Sequence, residues 1–145
     1  MDQLNVTRTV HIRATRAAVW DAITQPELLS EWFGDDADLV AEPGAAGSLT
    51  WNEYGVFHLV VEAVDPQNSI AIRWAREKDV DVTPTNSTVF RFVLEDREHG
   101  IDLTVIETGW ESLEGDIEKH MQGNTDGWRE ELDELVAFLE KQDSV

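Results

Sequence analysis

The chain has 145 residues, 41% of them hydrophobic, enough for one domain with a real core, and it lacks cysteine, which excludes disulfides and thiol catalysis. Thirty acidic residues against eleven basic ones leave a net charge of -19, a surface that repels nucleic acid and anionic lipid. No apolar run is long enough to span a membrane and MDQLNVTRTV has no basic-then-apolar leader, so the expectation is a cytoplasmic domain over residues 1–145 with no nucleic-acid partner and no membrane insertion.

In chain order, NVTRTVHIR alternates as a half-buried strand does. Thr15 is a candidate N-cap for a helix through RAAVWDAIT, whose apolar stripe is Val19, Trp20 and Ile23. Pro26 suits the first position of a second short helix, PELLSEWF, which Gly34 ends. The acidic GDDAD, residues 34–38, lacks the spacing of a calcium loop and reads as an exposed turn. From about residue 37 to 110 the period is two: SLTWNEYGVFHLVVEAVDP is a strand pair turning near Glu53 to Gly55, SIAIRWAREK is a strand, and STVFRFVLED and GIDLTVIETGW form a hairpin through REHG. The last segment carries Ile117, Met121, Trp128, Leu132, Leu135 and Leu139 on one helical stripe, with Glu118, Glu130, Glu131 and Glu134 on the opposite face and an interruption at Gly123–Asn124. An α+β fold follows: a curved antiparallel sheet wrapped on a long C-terminal helix, with two short helices after the first strand.

AVWDAIT, PELLSEWF, GSLTW, VEAVDPQNSIAIRW and GWREELDELVAFLE, taken in this order, resemble the heat-shock protein 90 ATPase activator homologue family, within the START-like, birch-allergen-like (SRPBCC) superfamily. The resemblance covers nearly the whole chain. It implies the helix-grip fold with a cavity between sheet and helix, and relatives that mostly bind hydrophobic small molecules, lipids or polyketides. A few are enzymes, and one branch assists a chaperone.

Strand parity assigns the cavity wall. Phe57, Leu59 and Val61 share a face, as do Ile70, Ile72 and Trp74, Phe90, Phe92 and Leu94, and Leu49 and Trp51. With Met121 and Trp128 from the helix, and Trp32 and Phe33 from the short helix that the resemblance puts at the cavity mouth, the candidate ligand-binding set is Trp32, Phe33, Trp51, Phe57, Leu59, Trp74, Phe90, Phe92, Glu107, Met121 and Trp128. Trp32 and Phe33 have two equal readings: one in the core and the other at the opening, or both plain core. Glu107 shares parity with Leu103 and Val105, which aims its carboxylate inward; the preferred expectation is that the strand end or a bulge turns it to water.

Catalytic signals are thin. His11, His58, His99 and His120 lack ligand-like spacing, and there is no nucleophile elbow, phosphate loop or dinucleotide fingerprint, so no catalytic residue, metal or cofactor is expected. The leading function is binding of a small hydrophobic or aromatic ligand by a monomer or weak dimer. The alternatives are a chaperone ATPase co-activator and a hydrolase or cyclase using the same cavity.

With lysine only at positions 78, 119 and 141, carboxylate repulsion is weakly compensated, as in a surface suited to high salt or to a basic partner. The melting temperature should therefore rise as sodium chloride is added, since the screening length falls to roughly 10 Å at 0.1 M. A melting temperature flat from low to molar salt would show that the acidic surface carries no large energetic consequence.

Overall fold

In the computed structural model, which describes residues 5–143, β1 (Val6–Ile12) leads to α1 (Arg16–Thr24) and α2 (Pro26–Trp32). Then come β2 (Asp36–Asp38), β3 (Ala46–Trp51), β4 (Gly55–Asp65), β5 (Ser69–Ala75), β6 (Ser87–Arg97) and β7 (Gly100–Thr108). A 3-10 turn (Trp110–Ser112) and α3 (Ile117–Asp143) complete the described chain. The first four residues of the segment read for a leader lie outside the described range. None of the described helices is long and apolar enough to cross a membrane.

The strands form one seven-stranded sheet, every neighbouring pair antiparallel, in the order β1-β7-β6-β5-β4-β3-β2. The chain thus winds from β2 back to β7 by successive hairpins, and β1 closes the far edge by pairing with β7, Val6 opposite Glu107 and Ile12 opposite Ile101. A register shift between Val61 and Ala63 lets Glu62 point out and re-phases β4. Such a bulge bends the strand and adds twist. The sheet so curved grips α3, whose Trp128, Leu132, Leu135 and Leu139 are buried, while Ile117 and Met121 pack half-buried against the core. This is the expected α+β helix-grip architecture.

Local chemistry explains the short helices. The Thr15 hydroxyl accepts a hydrogen bond from the Ala18 amide at 3.1 Å, capping α1. Pro26 opens α2 with its φ already helical. The chain leaves α2 through Gly34 at φ +86°, where a Cβ would come 2.8 Å from the Thr50 carbonyl and 3.2 Å from the Trp51 ring. A side chain there would be strained and would clash, so only glycine lets the α2 exit lie flat on β3.

Two local expectations need correction. Within GDDAD, Asp36–Asp38 is not a free turn but the edge strand β2, paired with Ser48–Thr50. Gly123 and Asn124 do not interrupt α3, which runs unbroken through 27 residues. The helix tolerates Gly123 and Gly127, at roughly 1 kcal/mol each relative to alanine, because tertiary packing of its stripe outweighs propensity.

Candidate functional site

Phe33, at the α2 exit, is the centre of an aromatic cluster. Its ring stacks on Trp32 at 4.9 Å and on Trp128 at 5.4 Å, and meets Trp51 edge-on at 5.2 Å. On one side lies filled core, where Leu29, Leu49, Leu59, Phe90 and Phe92 leave a void of only about 10 Å³. On the other side a cavity of about 290 Å³ opens between the β3–β5 end of the sheet and the first half of α3. Its walls are Phe33, Trp51, Phe57, Trp74 and Trp128, with Tyr54 at the rim. Gly127 forms part of the floor, and a Cβ there would meet nothing within 4 Å.

Behind the wall lies Glu107, fully buried one residue before the end of β7, where it still pairs in regular register with Val6 of β1 and Phe90 of β6. The expectation that a bulge or strand end turns it to water is overturned: β7 has no bulge there, and the carboxylate is enclosed by donors. One oxygen accepts from the Trp74 indole at 2.8 Å and the Thr88 hydroxyl at 2.5 Å. The other accepts from the Asn124 amide at 2.7 Å and the Trp128 indole at 2.8 Å. The Glu107 carbonyl also accepts from the Trp110 indole at 2.9 Å. Charge-assisted bonds of this kind replace the lost hydration of a buried carboxylate. Two of the cavity's indoles are thus held in orientation by one acidic group.

Two further ionisable groups line the cavity. The Arg76 guanidinium lies 5.1 Å from the centre of the Trp110 ring, and its buried Nε has no hydrogen-bond partner. Burial lowers its pKa, and attraction to Glu107 only partly opposes this. Glu131, expected on the outward face of α3, instead follows Asn124, Gly127 and Trp128 down the cavity side and has a buried oxygen without a partner. Burial, reinforced by Glu134 and Glu130, pushes its carboxyl up to about 7.

Of the residues proposed from the sequence as ligand contacts, Phe33, Trp51, Phe57, Trp74 and Trp128 stand on the cavity wall. Trp32 lies in the core, its indole donating to the Ala22 carbonyl at 2.8 Å. Leu59, Phe90 and Phe92 lie in the filled core behind Phe33. Met121 packs half-buried against that core outside the cavity lining, and Glu107 acts one shell back, through Trp74, Trp128 and Asn124. Tyr54, Arg76, Asn124, Gly127 and Glu131 were missed. The α3 members lie at i, i+3, i+4 and i+7 from Asn124, a one-face spacing readable in the sequence.

Residues 13–140 match the family model described as Activator of Hsp90 ATPase homolog 1-like protein. Among solved structures, protein MLL2253 from Mesorhizobium loti is 23% identical with a TM-score of 0.81, over 95% of this chain and 98% of its own. The Aha1 dimer from Colwellia psychrerythraea is 18% identical with a TM-score of 0.78, over 94% of this chain and 96% of its own. DynU16, a protein of the dynemicin biosynthetic locus, is 21% identical with a TM-score of 0.78, over 97% of this chain but 48% of its own. A search of curated proteins finds no significant match.

Glu107→Gln should destabilise the protein by about 2–4 kcal/mol, read by denaturant unfolding. In either rotamer the new amide N–H₂ confronts an indole N–H, of Trp74 or of Trp128, that cannot accept. Glu131→Gln should act in the opposite direction, and only above about pH 4.5. Because folding raises the Glu131 pKa from 4.5 to about 7, its neutral form is the one compatible with the fold. The associated stability is complete below about pH 4.5 and is lost as pH rises through 7. Thermal melts should find variant and parent equal near pH 4 and the variant more stable at pH 8, by roughly 1 kcal/mol after discounting for partial exposure.

Proposed function

The chain belongs to the Activator of Hsp90 ATPase homolog 1-like family, and from that premise we propose that it binds a small planar hydrophobic or aromatic molecule in the cavity beside Phe33. The observation that carries this reading is the contrast in packing. The core behind Phe33 is filled to within about 10 Å³, yet five aromatic rings on its other side surround about 290 Å³. Interiors normally close such gaps. That volume lies at the lower end of the range of ligand sites, roughly 300–1,000 Å³, and suits two or three fused or linked rings. Stacking surfaces come from Trp51, Trp74 and Trp128, and Gly127 supplies space that any larger residue would occupy. Binding is the whole role in this reading: Glu107 is saturated by hydrogen bonds and has no access to a reacting atom.

The family description and the Aha1 neighbour suggest a second reading, docking on a chaperone to raise its ATPase rate. Among the described residues, the exposed large hydrophobic side chains are Val40, Tyr54 and Val80. They offer little toward an interface of roughly 1,200–2,000 Å². This reading therefore ranks second and would depend on the acidic surface meeting a basic partner.

The neutral fluorophore phenylnaphthylamine should bind saturably and quench tryptophan emission, because three of the cavity's wall residues are tryptophans. Gly127→Leu projects a side chain into the empty floor. It should abolish binding while raising helix propensity by about 0.8 kcal/mol, so the variant stays folded. Saturable binding that survives in Gly127→Leu would place the ligand elsewhere, and no binding to the parent protein would remove the proposal.

A further inference from the structure

The cavity is not uniformly apolar. Arg76, the residue after the end of β5, brings a guanidinium to a wall made mostly of rings. Its side chain makes no hydrogen bond or ion pair among the described residues, and of its five N–H donors the one on Nε is buried without an acceptor. The nearby negative charge on Glu107 is already shared among four donors, none of them Arg76. The guanidinium instead lies against the Trp110 ring, which is pinned by its own hydrogen bond to the Glu107 carbonyl. An unpaired donor fork on an aromatic platform is a matched receptor for a planar acid group.

We propose that the occupant of this cavity is an aromatic carboxylate, its rings between Trp51, Trp74 and Trp128 and its acid group paired with the Arg76 guanidinium. This rests on the ligand-binding reading above and adds the chemical class of the ligand. Two observations support an acid over a neutral carbonyl. Burial of Arg76 is only partly offset by Glu107, so the cation is under-compensated where it stands. Glu131, the acidic residue of the lining, is held up to about 7, so near neutrality it is in large part uncharged and repels an incoming carboxylate less. Its partnerless oxygen is then available to a second polar atom of the ligand. The general field of a chain with net charge -19 opposes anions, so selectivity for one must be local.

Naphthoate, naphthamide and naphthylmethylammonium share a ring system and differ in charge. Titrated into the intact protein at fixed salt, naphthoate should bind at least about tenfold more tightly than naphthamide, the scale of a charge-assisted bidentate pair. Arg76→Gln should erase that ratio by bringing naphthoate down to the affinity of naphthamide. Arg76→Lys, which keeps the charge but loses the fork, should retain only part of it. The comparison of probes on the unsubstituted protein needs no variant to fold. Equal binding of naphthoate and naphthamide, or tightest binding of the ammonium, would overturn the acid assignment while leaving the aromatic cavity as a binding site. If none of the three binds, and phenylnaphthylamine does not either, the cavity reading itself falls.

Discussion

The carboxylate of Glu107 is the point at which sheet and helix are joined by direction as well as by contact. Apolar packing alone would let α3 slide or roll on the curved sheet, since dispersion and the hydrophobic effect have little directional preference. Four hydrogen bonds converging on one side chain of β7 fix a strand neighbour on β6, a ring on β5, and an amide and a ring on α3. Burying the charge costs several kcal/mol, and an apolar cluster of similar volume would hold the elements together as well or better. What an apolar cluster would not do is hold the Trp74 and Trp128 rings at set angles. These two indoles lie 5.9 Å apart with planes inclined by 32°, and both face the open volume. The cavity keeps its shape because its walls are anchored from behind.

Phe33 has the complementary role. It touches the filled core on one face and the open volume on the other, so it separates the part of the protein that must be dense from the part that must not. Its position follows from the tight exit of α2 through Gly34, where the chain is pressed onto β3. Trp32 beside it is consumed by the core, its indole nitrogen satisfied by the carbonyl of Ala22. Of these two buried aromatics at a helix exit, Trp32 is wholly core while Phe33 also borders the open volume.

Much of this was legible beforehand, for a physical reason. Period-two alternation placed Leu49, Leu59, Ile72, Phe90 and Phe92 on the inner face because pleat geometry is local, and the α3 stripe was readable because 3.6 residues per turn is local too. What failed depended on partners far away in the chain. Glu107 looked too costly to bury, because its donors come from positions 74, 88, 124 and 128 and no periodicity announces them. The charge pattern sets Glu131 with Glu130 and Glu134 opposite the apolar stripe, although its spacing from Asn124 and Trp128 puts it on the cavity side of the same helix. Asp36–Asp38 read as a turn because three acidic-flanked residues carry no strand signal, yet pairing with β3 suffices to extend the sheet. Met121 had the right stripe but the wrong height along the helix to reach the open volume.

The pairing of β1 with β7 has a consequence for how the chain reaches this state. Residues 6–12 find their hydrogen-bonding partners at 101–107, and the helix packed against them comes later still. As the polypeptide leaves the ribosome from its amino end, Val6, Val10 and Ile12 have no strand to join until almost three quarters of the chain has been made. The hairpins from β2 to β7 assemble in the order of synthesis. Closing the β1 edge is the long-range step, with the largest loop entropy to overcome, and topologies of this kind fold slowly. Three apolar side chains of the first strand therefore wait, uncovered, through most of translation.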